Sequence, residues 1–260
     1  MSDFLMEMGV LSAARAAVLD SVALDAKVHH LTSPPTINFD GFGLIAEVKF
    51  STPSEGVLVN PLDPISAAVS RAKIYASAGA AAISVLTEPT RFGGSLSHLA
   101  AVAEAVDVPV MRKDFLVDPV QVIEARAHGA AGVLLIIRML SDARLDQMVE
   151  LADELGMFVL LEAFDEDDLQ RAARFQGVMV GVNSRDLNTL GVDSSRFKSL
   201  IEAFPADCIR VAESGLRGAD DVRDVAALGY QMALVGSALM SADDPGAMIE
   251  SMRVGRGVEA

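Results

Sequence analysis

Two lysines stand where apolar runs give way to polar loops, in Glu47-Val48-Lys49 and Arg112-Lys113-Asp114. Burying an ammonium group without a partner is costly, so a lysine in such a place is either paired or put to use. Two of them predict an anionic substrate. The period of an extended chain puts Glu47 and Lys49 on one face, where a carboxylate and an ammonium can each hold the other's charge. Lys113 and Glu162 fall on different predicted strands, as an acid and a base on opposite sides of a bound molecule require. Three more runs end in polar residues: Asn183 and Arg185, then Glu213 and Ser214, then Gly236 and Ser237. Together these side chains offer an acid, a base and an anion clamp.

For residues so far apart to meet, the intervening elements must bring every run's end to one place. Short aliphatic or β-branched runs begin near Leu44, Ile83, Val108, Gly132, Phe158, Val178, Ile209 and Met232, with helix-like stretches between them. Gly79, Gly129, Gly156, Gly177 and Gly229 each stand between a helix-like stretch and the next run, the place for a left-handed cap. Helix starts are marked by Asp63-Pro64, Ser95, Asp118-Pro119, Ser141-Asp142, Asp165 and Asp193. Between Pro64 and Ala80, the spacing of Ile65, Ala68, Val69, Ala72 and Tyr75 predicts a face against the sheet, with Arg71 and Lys73 in solvent.

Eight near-continuous apolar strands, each followed by a helix, predict an α/β protein built as a (β/α)8 TIM barrel. A doubly wound open sheet is the runner-up; it usually has fewer strands at this length, and no Gly-x-Gly-x-x-Gly follows the first run. Residues 1–260 are expected to form one barrel domain, with residues 1–35 as an N-terminal helical cap and linker. The cap is helix from about Phe4 to Thr32, and Ser33-Pro34-Pro35 is the linker. In such a barrel the catalytic mouth lies at the C-terminal ends of the strands, where all the residues above are found.

The chain has 260 residues, 51% of them apolar, and a formal net charge of -15. That charge argues against a general affinity for nucleic acid or an anionic membrane, so an anionic ligand must be held by local cations. The apolar run Val133 to Ile137 is too short to cross a bilayer, and the N-terminus mixes Asp3, Glu7 and Arg15 with apolar residues. These features predict no membrane span, no signal peptide and a cytoplasmic location. Cys208 is the only cysteine, which excludes an internal disulfide or a thiolate metal cluster and reads as a small core residue. His29, His30, His98 and His128 have no ligand spacing, and Asp165-Glu166-Asp167-Asp168 reads as a helix start favoured by the dipole. No metal site is expected. Met6 and Met8 read as packing residues of the first helix.

The Ser214-Gly215 and Gly236-Ser237 loops follow the seventh and eighth strands, where barrels of this kind often bind phosphate through backbone N–H groups. The loop Ser51 to Gly56 adds hydroxyls that could close over the same group. A phosphate monoester is the expected handle. The bland alternatives are a structural Glu47–Lys49 ion pair, a plain tight turn at Gly236-Ser237 and a surface pair at Arg185-Asp186.

Several motifs taken together resemble the indole-3-glycerol-phosphate synthase family. They are Ile45-Ala46-Glu47-Val48-Lys49 with Pro53-Ser54, Arg112-Lys113-Asp114-Phe115, Asn183-Ser184-Arg185-Asp186-Leu187, Ala212-Glu213-Ser214-Gly215 and Val235-Gly236-Ser237-Ala238-Leu239-Met240. Ser84-Val85-Leu86-Thr87-Glu88, leading to Phe92-Gly93-Gly94-Ser95, is similar to that family's second loop. The matches run in order from Leu44 to Met240. The resemblance implies ring closure, decarboxylation and dehydration of 1-(2-carboxyphenylamino)-1-deoxyribulose 5-phosphate to indole-3-glycerol phosphate, in tryptophan biosynthesis and without a cofactor.

It implies Lys113 as general acid, Glu162 as base of the dehydration, Lys49 on the substrate carboxylate with a share in the acid role left open, Glu47 orienting the lysines, and Asn183 positioning the ring or a hydroxyl. Arg185, Glu213, Ser214, Phe115, Thr52 and Ser54 would bind substrate, and Gly215, Gly236 and Ser237, with Ser214, would hold phosphate. The expected partner is this phosphorylated aromatic small molecule, and the expected assembly a monomer or homodimer. The chain departs from the family pattern in two places. Phe50 stands where an arginine is common, with Ser51, Thr52 and Glu55 in the loop that follows, and Ala163-Phe164 stands where Val-His is common after Glu162. Phe50 is therefore expected to remove a cation beside the mouth. The alternatives are a paralogue acting on a substituted anthranilate, another phosphate-binding barrel such as a sugar-phosphate isomerase, and a non-catalytic barrel that binds a phosphorylated ligand.

Overall fold

Side-chain alternation within each strand decides the architecture. In the computed structural model, which describes residues 3–187 and 189–253, eight strands pair in parallel and close on themselves. They are β1 (Gly43–Val48), β2 (Ala82–Leu86), β3 (Val110–Lys113), β4 (Gly132–Ile136), β5 (Phe158–Ala163), β6 (Met179–Asn183), β7 (Ile209–Glu213) and β8 (Met232–Val235). Each is hydrogen-bonded to its neighbours in sequence, and β1 closes the ring against β8. All eight expected strand starts lie within two residues of the observed ones, Gly132, Phe158, Ile209 and Met232 at the same residue. Residues 1–2 and 254–260 of the expected domain fall outside the described residues.

Two apolar clusters result, one on each side of the sheet. Leu44, Ala46, Val85, Val133, Leu161, Val182 and Ala212 face outward and meet the helices. Ile45, Met111, Leu134, Leu160, Val211 and Met232 fill the interior. A period of two then carries the inward direction from Ile45 to Glu47, from Met111 to Lys113, from Leu160 to Glu162 and from Val211 to Glu213. The mouth is charged because the last inward position of these strands is ionisable.

The helices follow local rules. Asp63 caps the helix Pro64–Ser77 by accepting from the amides of Ile65 and Ser66, and Ser95, Ser141 and Asp165 cap theirs likewise. Gly79 and Gly229, with φ of 90° and 102°, turn the chain from helix to strand in a conformation open to glycine. On Pro64–Ser77, Ala68, Ala72 and Tyr75 are buried as expected, whereas Ile65 is exposed. Arg71 is not in free solvent: its guanidinium donates to the Leu239 carbonyl.

The N-terminal segment forms α1 (Asp3–Ala16) and α2 (Ser21–Val28). Leu5, Met8, Ser12 and Ala16 recur at helical spacing and are buried. Met8 is a packing residue, but Met6 lies on the opposite face and is 44% exposed. Polar contacts fix the register of α1. Gln121 Nε2 donates to Ser12 Oγ at 2.9 Å, and Arg15 pairs with Asp114 at 2.7 Å. Asp114 also accepts from Thr87 at 2.7 Å and Arg112 at 3.2 Å, while Arg112 pairs with Glu124 at 2.7 Å and donates to the Gln121 carbonyl.

Arg112 is thus a buried cation joining β3, the loop after β2 and the helix Val120–Ala127. Its removal strands Glu124 and weakens the shell of Asp114, the class of change that costs about 3–5 kcal/mol. Arg112→Leu should lower the unfolding free energy by that amount in urea titration. A loss below about 1 kcal/mol would show that the network does not hold these elements together.

Candidate active site

Six of the eight strands deliver polar side chains to the mouth, each at the end of a run of apolar residues. Glu47 and Lys49, two residues apart on and just past β1, form an ion pair of 2.7 Å. Lys113 ends β3; its ammonium is 3.0 Å from Glu162 on β5 and 3.9 Å from Glu213 on β7. Asn183 ends β6, and its side-chain oxygen accepts from the Arg185 amide at 2.9 Å. The Arg185 guanidinium donates to the Leu190 carbonyl at 2.7 Å, folding its loop over the mouth.

Electrostatics separates the two groups beside one another on β3 and β7. Burial works against the Lys113 ammonium, but Glu162, Glu213 and Glu47 outweigh it and hold its pKa above the ordinary lysine value. Glu213 is pushed well above the ordinary carboxyl range, first by burial and then by Glu162, with Lys113 pulling the other way. Neither Glu213 oxygen has a hydrogen-bond partner among the described residues, and one Glu47 oxygen is also unpartnered. Buried polar atoms left unmatched beside a cavity mark groups poised for a ligand.

Two glycines make room for this cluster. A Cβ on Gly181, in the middle of β6, would lie 1.9 Å from a Glu213 oxygen, and one on Gly236 would lie 2.2 Å from Glu47 and 2.8 Å from the Lys49 ammonium. Ser214 is non-glycine yet left-handed, with φ of 68°, and its carbonyl accepts from Ser184 at 3.0 Å. Such a conformation persists only where the surroundings hold it, and it clusters at ligand sites.

All the expected site residues line one cavity of about 930 Å3: Glu47, Lys49, Thr52, Ser54, Lys113, Phe115, Glu162, Asn183, Arg185, Glu213, Ser214, Gly215, Gly236 and Ser237. That volume suits a small organic ligand. Phe4, Leu86, Phe92, Ile136, Leu187, Leu190 and Leu234 supply an apolar wall. Phe115 is flanked by Phe4, edge-on at 5.7 Å, and by Phe92 at 5.9 Å. Neither Phe4 nor Gly181 was singled out from sequence. Phe4 had no local signal, because only the docking of α1 brings it here. A lone glycine in a strand does signal close approach of another group.

Phe50 is corrected by the structure. It is buried, packs edge-on against His98 at 5.3 Å, and does not line the cavity. The mouth therefore presents no side chain at this position, and Phe50 gives a substituted aromatic substrate no structural basis. Phe164 is likewise buried, beneath the Arg138 guanidinium at 4.4 Å. Cys208 lies just before β7, at the end of the barrel away from the mouth. Its thiol donates to the Pro205 carbonyl and burial pushes its pKa up to about 11, so it is not a nucleophile at neutral pH.

The sequence matches the family described as indole-3-glycerol phosphate synthase over residues 14–252. The indole-3-glycerol phosphate synthase of Paenarthrobacter aurescens (strain TC1) is 49% identical over 215 residues, 83% of this chain and 77% of that protein. The protein of the same description from Rhodococcus opacus (strain B4) is 42% identical over 239 residues, covering 90% and 87%. Among solved structures, 3-hexulose-6-phosphate synthase from Salmonella typhimurium superposes with a TM-score of 0.65 at 17% identity, over 81% of this chain and 96% of that one. At that identity the likeness bears on the barrel fold alone.

A carboxyl that binds its proton more tightly when folded has a stability contribution present below its unfolded pKa and lost as pH rises toward its folded value. For Glu213 the loss begins near the ordinary 4.5 and continues upward. Glu213→Gln, which cannot ionise, should gain stability relative to the parent as pH rises from 5 to 8. Denaturant titrations at several pH values read this directly; a difference independent of pH would mean that Glu213 ionises as an ordinary carboxyl.

Proposed function

This chain belongs to the indole-3-glycerol phosphate synthase family, and from that membership we propose how its side chains divide the work. The activity is that of a carboxy-lyase: 1-(2-carboxyphenylamino)-1-deoxyribulose 5-phosphate becomes indole-3-glycerol phosphate in tryptophan biosynthesis, with carbon dioxide and water released. The ligand is a phosphorylated aromatic small molecule. The observation that carries the division of roles is the Lys113 ammonium, held between Glu162 and Glu213 on the floor of a cavity with an aromatic wall.

The aromatic ring lies against Phe4, Phe92 and Phe115, and its carboxylate meets Lys49, which Glu47 orients through their ion pair. The ring carbon bearing the carboxylate attacks the ketone carbon. Lys113 supplies a proton to the ketone oxygen, and a fixed ammonium at that oxygen stabilises the developing negative charge, often among the larger contributions to catalysis. The bond to the carboxylate then breaks, carbon dioxide leaves, and its bonding electrons restore the aromatic ring. In the dehydration, Glu162 takes a proton from the methylene beside the nitrogen while an ammonium of the mouth, Lys113 reprotonated from solvent or Lys49, gives a proton to the new hydroxyl, which leaves as water.

Asn183 positions the ring or a hydroxyl, and Arg185 closes the loop beside it. Glu213 lines the site beside Lys113, and Thr52 and Ser54, hydrogen-bonded to each other at 2.8 Å, form the near side of the mouth. The phosphate sits on the Ser214-Gly215 and Gly236-Ser237 turns, whose glycines let backbone approach an anion closely. The residues 1–35 act with the barrel as one unit, through Phe4 in the cavity wall. Among the described residues no helix is long and apolar enough to cross a membrane.

Formation of the fluorescent indole product from the anthranilate deoxyribulose phosphate tests the assignment. Lys113→Ala should lower kcat/KM by about 10²–10⁴-fold or more. Glu162→Gln should release carbon dioxide ahead of indole formation, because it spares ring closure and slows dehydration. Near-parent rates in Lys113→Ala, or equal slowing of both products in Glu162→Gln, would break the assignment of roles.

A further inference from the structure

The loop after β1 carries a carboxylate into the place just assigned to the substrate phosphate. Ser51–Thr52 pairs in antiparallel fashion with Gly56–Val57, and Glu55 stands at the turn between them. The hairpin is fixed at its base: the Phe50 carbonyl accepts from the amides of Leu58 at 2.8 Å and Val59 at 3.2 Å, and Ser51 Oγ donates to the Arg91 carbonyl at 3.1 Å. Ser54 is held at the tip by its amide and hydroxyl bonds to Thr52 Oγ1. From this frame the Glu55 side chain crosses the mouth to accept a 2.5 Å hydrogen bond from Ser237 Oγ.

That carboxylate rests on a hydroxyl and not on a cation. Among the described residues, the cations of the mouth are engaged elsewhere: Lys49 with Glu47, Lys113 with Glu162, Arg185 with the Leu190 carbonyl and Arg217 with Asp221. Ser237 has one hydroxyl proton, which can be given to the Glu55 carboxylate or to a phosphate oxygen but not to both. A phosphate placed on the Gly236-Ser237 turn would also face Glu55 charge to charge.

Resting on the reading of that turn as the phosphate seat, we propose that Glu55 occupies the seat in the free protein and must be displaced by the incoming phosphate. Glu55 thereby sets the affinity for phosphorylated ligands. The displacement needs only the side chain at the hairpin tip to swing away, since the base is tied to the barrel. Substrate that lacks the phosphate does not compete for Ser237, so its binding is independent of Glu55.

The test compares the parent protein with Glu55→Gln and Glu55→Ala. Calorimetric binding of inorganic phosphate and steady-state kinetics are measured with the phosphorylated substrate, and binding is also measured with its dephosphorylated form. Removing one charge close to a dianion should tighten phosphate binding by about tenfold and lower KM by a similar factor. Affinity for the dephosphorylated form should stay level. Phosphate affinity that is unchanged or weaker in both variants would overturn the proposal, as would an equal change for the dephosphorylated form, because a merely structural cap moves both ligands together. Failure of the parent protein to make indole product would count against the synthase assignment and leave the phosphate comparison to decide the role of Glu55.

Discussion

The structure turns on the need to compensate charge at the mouth of an apolar barrel. The interior is filled by Ile45, Met111, Leu134, Leu160, Val211 and Met232, and the next inward layer places three carboxylates, Glu47, Glu162 and Glu213, beside two ammonium groups, Lys49 and Lys113. None of these groups could stand there alone. Each lysine has a carboxylate partner, and the third carboxyl, Glu213, is pushed well above the ordinary carboxyl range by burial and by Glu162. A substrate bringing its own carboxylate enters a site whose ion pairs are already formed and whose remaining unmatched oxygens face the cavity.

Behind the mouth, a second polar network does the mechanical work. Asp114 follows Lys113 directly in the chain and receives Arg15, Thr87, Arg112 and the Phe115 amide. One face of the β3 end thus presents Lys113 to the cavity while the other is bolted to α1 and to the loop after β2. This ties the placement of Phe4, which edges against Phe115, to the same network that fixes Lys113. The aromatic wall and the ammonium are built as one piece.

Much of this was legible in the sequence because it depends on local rules. A strand period of two carries inwardness from an apolar residue to the charged one two positions on. Glycine after a helix and aspartate or serine before one marked the joints, and they stand there in the structure. What was not legible depends on contacts between distant segments. Phe50 follows Lys49 directly, and only the packing of the helix Leu96–Ala105, which brings His98 against it, shows that it faces the core and not the mouth. Met6 was grouped with Met8 by type, though two residues along a helix separate opposite faces. Ser237 and Glu55 are 182 positions apart, and no spacing rule joins them.

The central claim is that Lys113 remains a charge-compensated ammonium at the floor of the mouth. Observing the side-chain ammonium signals by NMR through an alkaline titration tests it most directly, with Lys113→Arg to assign the signal. The account predicts that Lys113 stays protonated above the ordinary lysine value of 10.5. Deprotonation of Lys113 at or below the ordinary lysine value of 10.5 would contradict it, because burial would then have outweighed Glu162 and Glu213.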